Sequence, residues 1–249
     1  MTTIPLPARP VALRPLALPA EHGGWGFLLE PIVLGLLVAP SWRGGLIAVA
    51  AIFAFLARHP LKLALQDAMR GKHYPRTPYC WGLAAAYLLA ASPALAIYPL
   101  IPLVVAAPLA LVQLTYDARN RSRELAAELS GALAMSSLAA AIAIAGGRPA
   151  ATAFGLAGIL AARSLPSILY VRALLRRAPA WPVIATHALA VLIVALYASP
   201  FAVAAMVLLL VRAIHGVTQA SRPAPQTIGW REILYGAVTV TLITISCIT

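Results

Sequence analysis

Charged side chains make up only about one residue in ten of this chain, so the places where they gather carry its chemistry. The densest gathering is Arg58 to Pro78, set between two apolar runs. It holds Arg58, His59, Lys62, Gln66, Asp67, Arg70, Lys72, His73 and Arg76. If His59 to Arg70 is helical, then His59, Lys62, Gln66 and Arg70 share one face. Two readings are open: a solvated cationic loop at a membrane surface, or an anion-binding site there. A second cluster, Tyr116 to Leu129, packs three arginines and three acids into twelve residues. On one continuous helix Asp117, Asn120, Glu124 and Glu128 would line a single face with Arg121 beside it; pairing on a wet helix end is the plainer reading. The stretch Arg163 to Arg177 contains four arginines and no acid. Guanidinium forks match phosphate oxygens, although placement of cations on one side of a membrane would also produce them. Arg163, Ser167 and Tyr170 share a face in this stretch. Glu30 lies about two turns inside an apolar segment, behind Glu21, His22, Gly23 and Gly24. A carboxylate at that depth is either a functional group or a paired structural one. Arg212, His215, Gln219 and Arg222 again share a helical face, and His187, isolated among apolar residues, reads as a hydrogen-bonded packing residue.

The elements that must position these groups follow from composition. The chain is 61% hydrophobic with a mean hydropathy of +0.87, and repeated apolar stretches of ~18 or more residues indicate membrane helices. Nine apolar segments are expected, near 25–40, 44–63, 80–97, 99–116, 126–146, 150–171, 182–198, 200–218 and 231–248. The expected fold is an all-α, polytopic membrane bundle over 21–249, preceded by a Pro-rich cytoplasmic tail over 1–20. The tail has four prolines in its first sixteen residues and no uninterrupted apolar run, unlike a signal peptide.

Loop charge predicts the orientation. With the N-terminus inside, seventeen Lys and Arg residues fall on the inner side and only Arg43 and Arg148 on the outer. That places the chain in the cytoplasmic membrane with its C-terminus outside. It also accounts for most of the +12 net charge, with membrane lipids as partners and no nucleic acid. Cys80 and Cys247 fall at opposite surfaces and do not pair. Phosphate-cradling Gly-Lys-Thr loops, paired CxxC or HExxH zinc spacings and a GxSxG elbow are absent from the sequence.

Nine helices with long 2–3, 4–5 and 6–7 loops resemble the UbiA superfamily of intramembrane prenyltransferases. More specifically the chain resembles the YwiC-like bacterial membrane proteins, through Glu21-His22-Gly23-Gly24-Trp25, Arg58-His59-Pro60-Leu61, and Tyr116-Asp117 through Glu128. The prenyltransferases hold magnesium against a prenyl diphosphate with Asp-rich motifs. Gln66-Asp67 with Arg76-Thr77 stands where the first motif is expected, and Tyr116 through Asn120-Arg121 is similar to a further element. Arg172, Arg176 and Arg177 replace the second Asp-rich motif.

The resemblance implies a protein that binds an isoprenoid or lipid phosphate (or diphosphate) and belongs to the lineage of an intramembrane prenyltransferase. Asp67, Asp117 and Glu124 are its candidate catalytic acids, and Asp67 with Asp117 would hold Mg2+. His22, Glu30, Arg58, His59, Lys62, Arg76, Tyr116, Arg121, Arg163 and Tyr170 would bind substrate. A non-catalytic membrane scaffold is the first alternative, its protein partners unnamed by the sequence. The second is a small-anion transporter in which Glu30, His187 and Glu128 relay charge.

Overall fold

In the computed structural model the chain is described over residues 11–19, 23–176, 178–219 and 223–248. Among these residues it is all-helical: α1 (Arg14–Ala17), α2 (Gly23–Val38), α3 (Trp42–Met69), α4 (Thr77–Ala91), α5 (Leu100–Ala118), α6 (Leu125–Ala145), α7 (Ala150–Arg176), α8 (Ala180–Ala195), α9 (Pro200–Thr218) and α10 (Pro225–Ile248), with a 3₁₀ turn at Ser92–Ala96. Helices α2 to α10 fall on the nine apolar segments. By length and composition six helical stretches can cross a membrane: Trp42–Met69, Thr77–Ala96, Leu125–Ala145, Ala150–Arg176, Pro200–Thr218 and Pro225–Ile248. The apolar stretches Gly24–Val38, Val104–Ala118 and Ala180–Ala195 are shorter. The protein is thus a polytopic helical membrane bundle. Helices satisfy their own backbone hydrogen bonds, which hydrocarbon cannot do for them. Leu89, Leu111, Leu192 and Leu196 face outward, and Trp42, Trp181 and Trp230 are exposed near helix starts, as amphipathic rings at a membrane interface would be.

Small residues decide which helix lies in the middle. Helix α6 reads LAAELSGALAMSSLAAAIAIA, and its crossing window is 61% buried, against 17% for the α4 stretch. It packs against α2, α3, α5 and α7, because alanine and serine let backbones approach. On the α2 side, a Cβ on Gly35 would lie 2.8 Å from Cβ of Ile142.

Helix α3 carries the helical reading of His59 to Arg70 almost to its end: it runs through the polar stretch to Met69, and Gly71 (φ +61°) ends it. The Lys72 N–H donates to the Asp67 carbonyl at 3.1 Å and that of Gly71 to Ala68 at 3.0 Å, which closes a Schellman motif. The chain departs from the sequence-based expectation at two places. Tyr116 to Leu129 is not one helix. Asn120 adopts φ +58°, and the N–H groups of Arg121 and Asn120 turn back to the carbonyls of Tyr116 and Asp117. Asparagine tolerates this left-handed conformation, so the same cap forms here and splits the cluster between α5 and α6. The acids therefore do not share one helical face. Lastly, residues 11–19 of the expected tail dock on the bundle: Leu16 is buried against Ala64 and Cys80, and the Tyr87 hydroxyl donates to the Ala17 carbonyl at 3.2 Å.

Candidate functional site

The two helix caps bring the polar ends of α3 and α5 together. The Gln66 amide donates to the Asp117 carbonyl at 2.7 Å and to Asn120 Oδ1 at 3.4 Å, bridging the two helices. Asp117 is fully buried and takes both prongs of Arg58, Nε at 2.7 Å and Nη2 at 3.1 Å. Asp67, also fully buried, accepts from Arg76 Nη2 at 2.9 Å, Arg76 Nε at 3.3 Å and Thr77 Oγ1 at 2.9 Å. Hydrogen bonding to Asp67 holds the Arg76 guanidinium above its ordinary pKa.

The remaining described acids follow the same rule. Glu124 pairs with Arg121, Glu128 with Arg172 at 2.7 Å, Glu30 with Arg163 at 3.0 Å, and Glu232 with Arg212. Hydrogen bonding to Glu124 raises the Arg121 guanidinium as well. Among the described residues every acid thus has an arginine.

This arrangement bears on the expected metal. Both oxygens of Asp67 and both of Asp117 are taken by guanidinium or hydroxyl donors, whereas Mg2+ asks for several open oxygen ligands in near-octahedral array. Among the described residues no three His, Cys, Asp or Glu side chains gather. The donor set does not fit a magnesium site.

The basic groups do gather. Lys62 from α3, Arg121, Arg123 and Glu124 from the α5–α6 loop, and Arg172 and Arg176 from α7 surround a groove of ≈ 620 Å³. Five cations face one carboxylate. Arg121 and Arg172 are committed to Glu124 and Glu128, which leaves Lys62, Arg123 and Arg176 without a carboxylate among the described residues. Arg172 also donates to the Arg123 carbonyl at 3.0 Å, which orders the loop. Ser122 lines the groove, and its buried hydroxyl has no partner among the described residues.

Of the sequence-derived candidates, Lys62, Arg121 and Glu124 therefore meet at the groove. Tyr116 lies under the Arg121 guanidinium, 5.5 Å from ring centroid to Cζ. Arg58 and Arg76 are held by Asp117 and Asp67. His59 is turned to α1, its Nε2 donating to the Pro15 carbonyl at 3.0 Å. His22 lies outside the described residues. Glu30 and Arg163 form a separate pair deep in the bundle, where Arg163 also donates to the Glu232 carbonyl at 2.8 Å. Gly236 makes room for them: a Cβ there would meet Glu30 Cδ at 2.6 Å and Arg163 Nη2 at 2.9 Å.

Tyr170 stacks beside Arg212, 4.3 Å from its guanidinium. His187 is a hydrogen-bonded packing residue, as expected. Its Nδ1–H donates to the Val183 carbonyl at 2.8 Å, and Nε2 accepts from Arg212 at 3.3 Å. Arg123 is an addition to the sequence-derived binding residues, whereas Arg172 and Arg176 lie in the acid-free run from Arg163 to Arg177, read from the sequence as suited to phosphate. Glu232 escaped notice altogether, although an acid within an apolar helix is the same signal that marked Glu30.

No curated protein and no solved structure matches the chain. Residues 18–143, which carry Glu30, Arg58, Asp67, Asp117 and the α5–α6 loop, match the YwiC-like protein family, and the chain belongs to that family.

Proposed function

We propose that this protein sits in the cytoplasmic membrane with its N-terminus inside, and that the groove between α3, the α5–α6 loop and α7 binds the phosphate of an isoprenoid or lipid phosphate. The carrying observation is the convergence of Lys62 from α3, Arg123 from the α5–α6 loop, and Arg172 and Arg176 from α7 on one groove with a single lining carboxylate. Fixed cations balance phosphate charge, and arginine forks contact its oxygens in pairs. Ser122 lines the same groove. An apolar tail has outward-facing leucines on α5 and α8 to lie against. In this reading the basic side chains do the work that magnesium does in UbiA prenyltransferases, whose helix layout this chain resembles. The groove supports binding; prenyl transfer would require Asp67 and Asp117 to leave their arginines.

The test is thermal stability of the purified protein in detergent with farnesyl phosphate and farnesyl diphosphate, each with and without Mg2+. Ligand at 100 times its Kd adds about 2.7 kcal/mol. The expected result is a rise that does not need magnesium and is lost in Lys62→Gln/Arg176→Gln. No rise with either ligand overturns the reading and favours a scaffold.

A second reading, small-anion transport, draws on the Glu30–Arg163 pair and the Arg212–Glu232–His187 cluster within the apolar helices. It expects anion uptake into proteoliposomes that Glu30→Gln abolishes.

A further inference from the structure

The last turns of α7 have two faces. Arg172 and Arg176 face the groove described above. Tyr170 and Leu174, on the other face, line a second cavity of ≈ 390 Å³ closed by α9 and α10. Arg212, His215, Gln219, Ile228, Arg231 and Glu232 are among its other walls, His215 and Gln219 being hydrogen-bonded to each other.

At its base is an ion pair with spare capacity. Arg212 is only 7% exposed. It gives Nη1 to Glu232 Oε1 and Nη2 to Ser167 Oγ and His187 Nε2, and the rings of Tyr170 and Tyr235 flank it at 4.3 and 5.1 Å. Even so, Arg212 Nε and Glu232 Oε2 are buried without partners among the described residues. A buried donor and a buried acceptor left unmade each cost about 1–3 kcal/mol. Both side chains line the cavity, so a guest there can supply the missing acceptor and donor once the two side chains turn their free atoms toward it.

Charge narrows the guest. Arg212 and Glu232 cancel. Arg231 adds a positive charge with no carboxylate beside it among the described residues. An anion of one negative charge neutralises the cavity, its oxygens facing the Arg231 and Arg212 side chains. The donor owed to Glu232 Oε2 is better a hydroxyl than an ammonium, which would bring a third cation next to two arginines. We propose that this cavity is a second ligand site, independent of the groove, for a singly charged anion bearing a hydroxyl group, of the phosphoglycerol class. The apolar wall of Leu174 and Ile228 suits the adjoining carbon chain. A free phosphodiester and a lipid headgroup share this chemistry.

The experiment uses the full chain, purified in detergent without anionic lipid. The soluble probe is glycerophosphoglycerol. Dimethyl phosphate is the anion without a hydroxyl, and glycerophosphoethanolamine the one with an ammonium. For the lipid source, the protein is placed in phosphatidylcholine nanodiscs with or without phosphatidylglycerol, and retained lipid is measured. The expected result is stabilisation by glycerophosphoglycerol, or selective retention of phosphatidylglycerol, with dimethyl phosphate and glycerophosphoethanolamine weaker. Arg231→Gln removes an exposed side chain without disturbing the buried pair, and should weaken binding about tenfold. Lys62→Gln/Arg176→Gln should leave it unchanged while abolishing farnesyl phosphate binding. Equal response to dimethyl phosphate, preference for the ammonium probe, indifference to Arg231→Gln, or no binding from either source overturns the proposal and leaves the groove reading intact.

Discussion

A carboxylate shut away from water needs a cation beside it, and this protein meets that need with arginine throughout. The cost of breaking such a pair shows which residues are structural. Asp117 has no exposed surface, so Arg58→Ala strands a buried charge. It should lower stability by about 3 kcal/mol, and adding Asp117→Asn should recover most of the loss. Thermal unfolding of the three variants in detergent checks this. If Arg58→Ala unfolds like the parent, Arg58 is spare and returns as a ligand candidate. Arg121→Gln, by contrast, breaks an exposed pair with Glu124. It should cost little stability, since surface pairs contribute ~1 kcal/mol or less. Spacing along the chain exposed which cations exist, and Glu30 could be suspected of a partner. That the partners are Arg163 for Glu30 and Arg58 for Asp117 was illegible, because each pair joins helices far apart in the chain.

At the scale of elements, two caps set the geometry of the groove. Asn120 ends α5 in a left-handed turn, which swings residues 121–125 over the end of α3. Asn120→Gly should be tolerated, whereas Asn120→Val should cost about 1–2 kcal/mol and weaken farnesyl phosphate binding by displacing Arg121 and Arg123. A Val variant of parental stability and affinity would show that the loop does not depend on this turn. In the core, Gly35→Ala forces a methyl against Ile142 where α2 meets α6. Overpacking of that kind costs about 1–3 kcal/mol, read as a lower midpoint of unfolding. Apolar segments were visible because long hydrophobic runs have few other uses. The break inside Tyr116 to Leu129 was not, since arginine, alanine and glutamate continue a helix readily and a single asparagine can sit within a helix or end it; only the φ of Asn120 shows that it ends this one.

For the whole molecule the orientation is the quantity to measure. Single cysteines introduced into a chain lacking Cys80 and Cys247 would report it by labelling in intact cells with an impermeant thiol reagent. Cysteine at Lys72, Arg123 or Arg176 should be protected until the membrane is opened; cysteine at Arg43 or Arg148 should label at once. The reverse pattern would invert the bundle and move the groove to the outer face. Arg148 also has a structural tie, donating to the Val38 carbonyl at 2.8 and 3.2 Å, so Arg43 is the cleaner reporter.

Sequence alone determined the class of this protein: composition and run length require apolar helices, and the lopsided distribution of Lys and Arg predicts their direction. It also marked the ends of α3, α5 and α7 as the chemically rich end of the bundle, because charge inside the apolar helices is costly and occurs there as arginine–glutamate pairs. Tertiary structure decided which charges are spent and which remain available. Pairing depends on distance across helices, and that depends on how alanine, glycine and serine let α6 draw its neighbours together. Asp67 and Asp117 were thereby taken by arginine, and Lys62, Arg123 and Arg176 were left facing the groove.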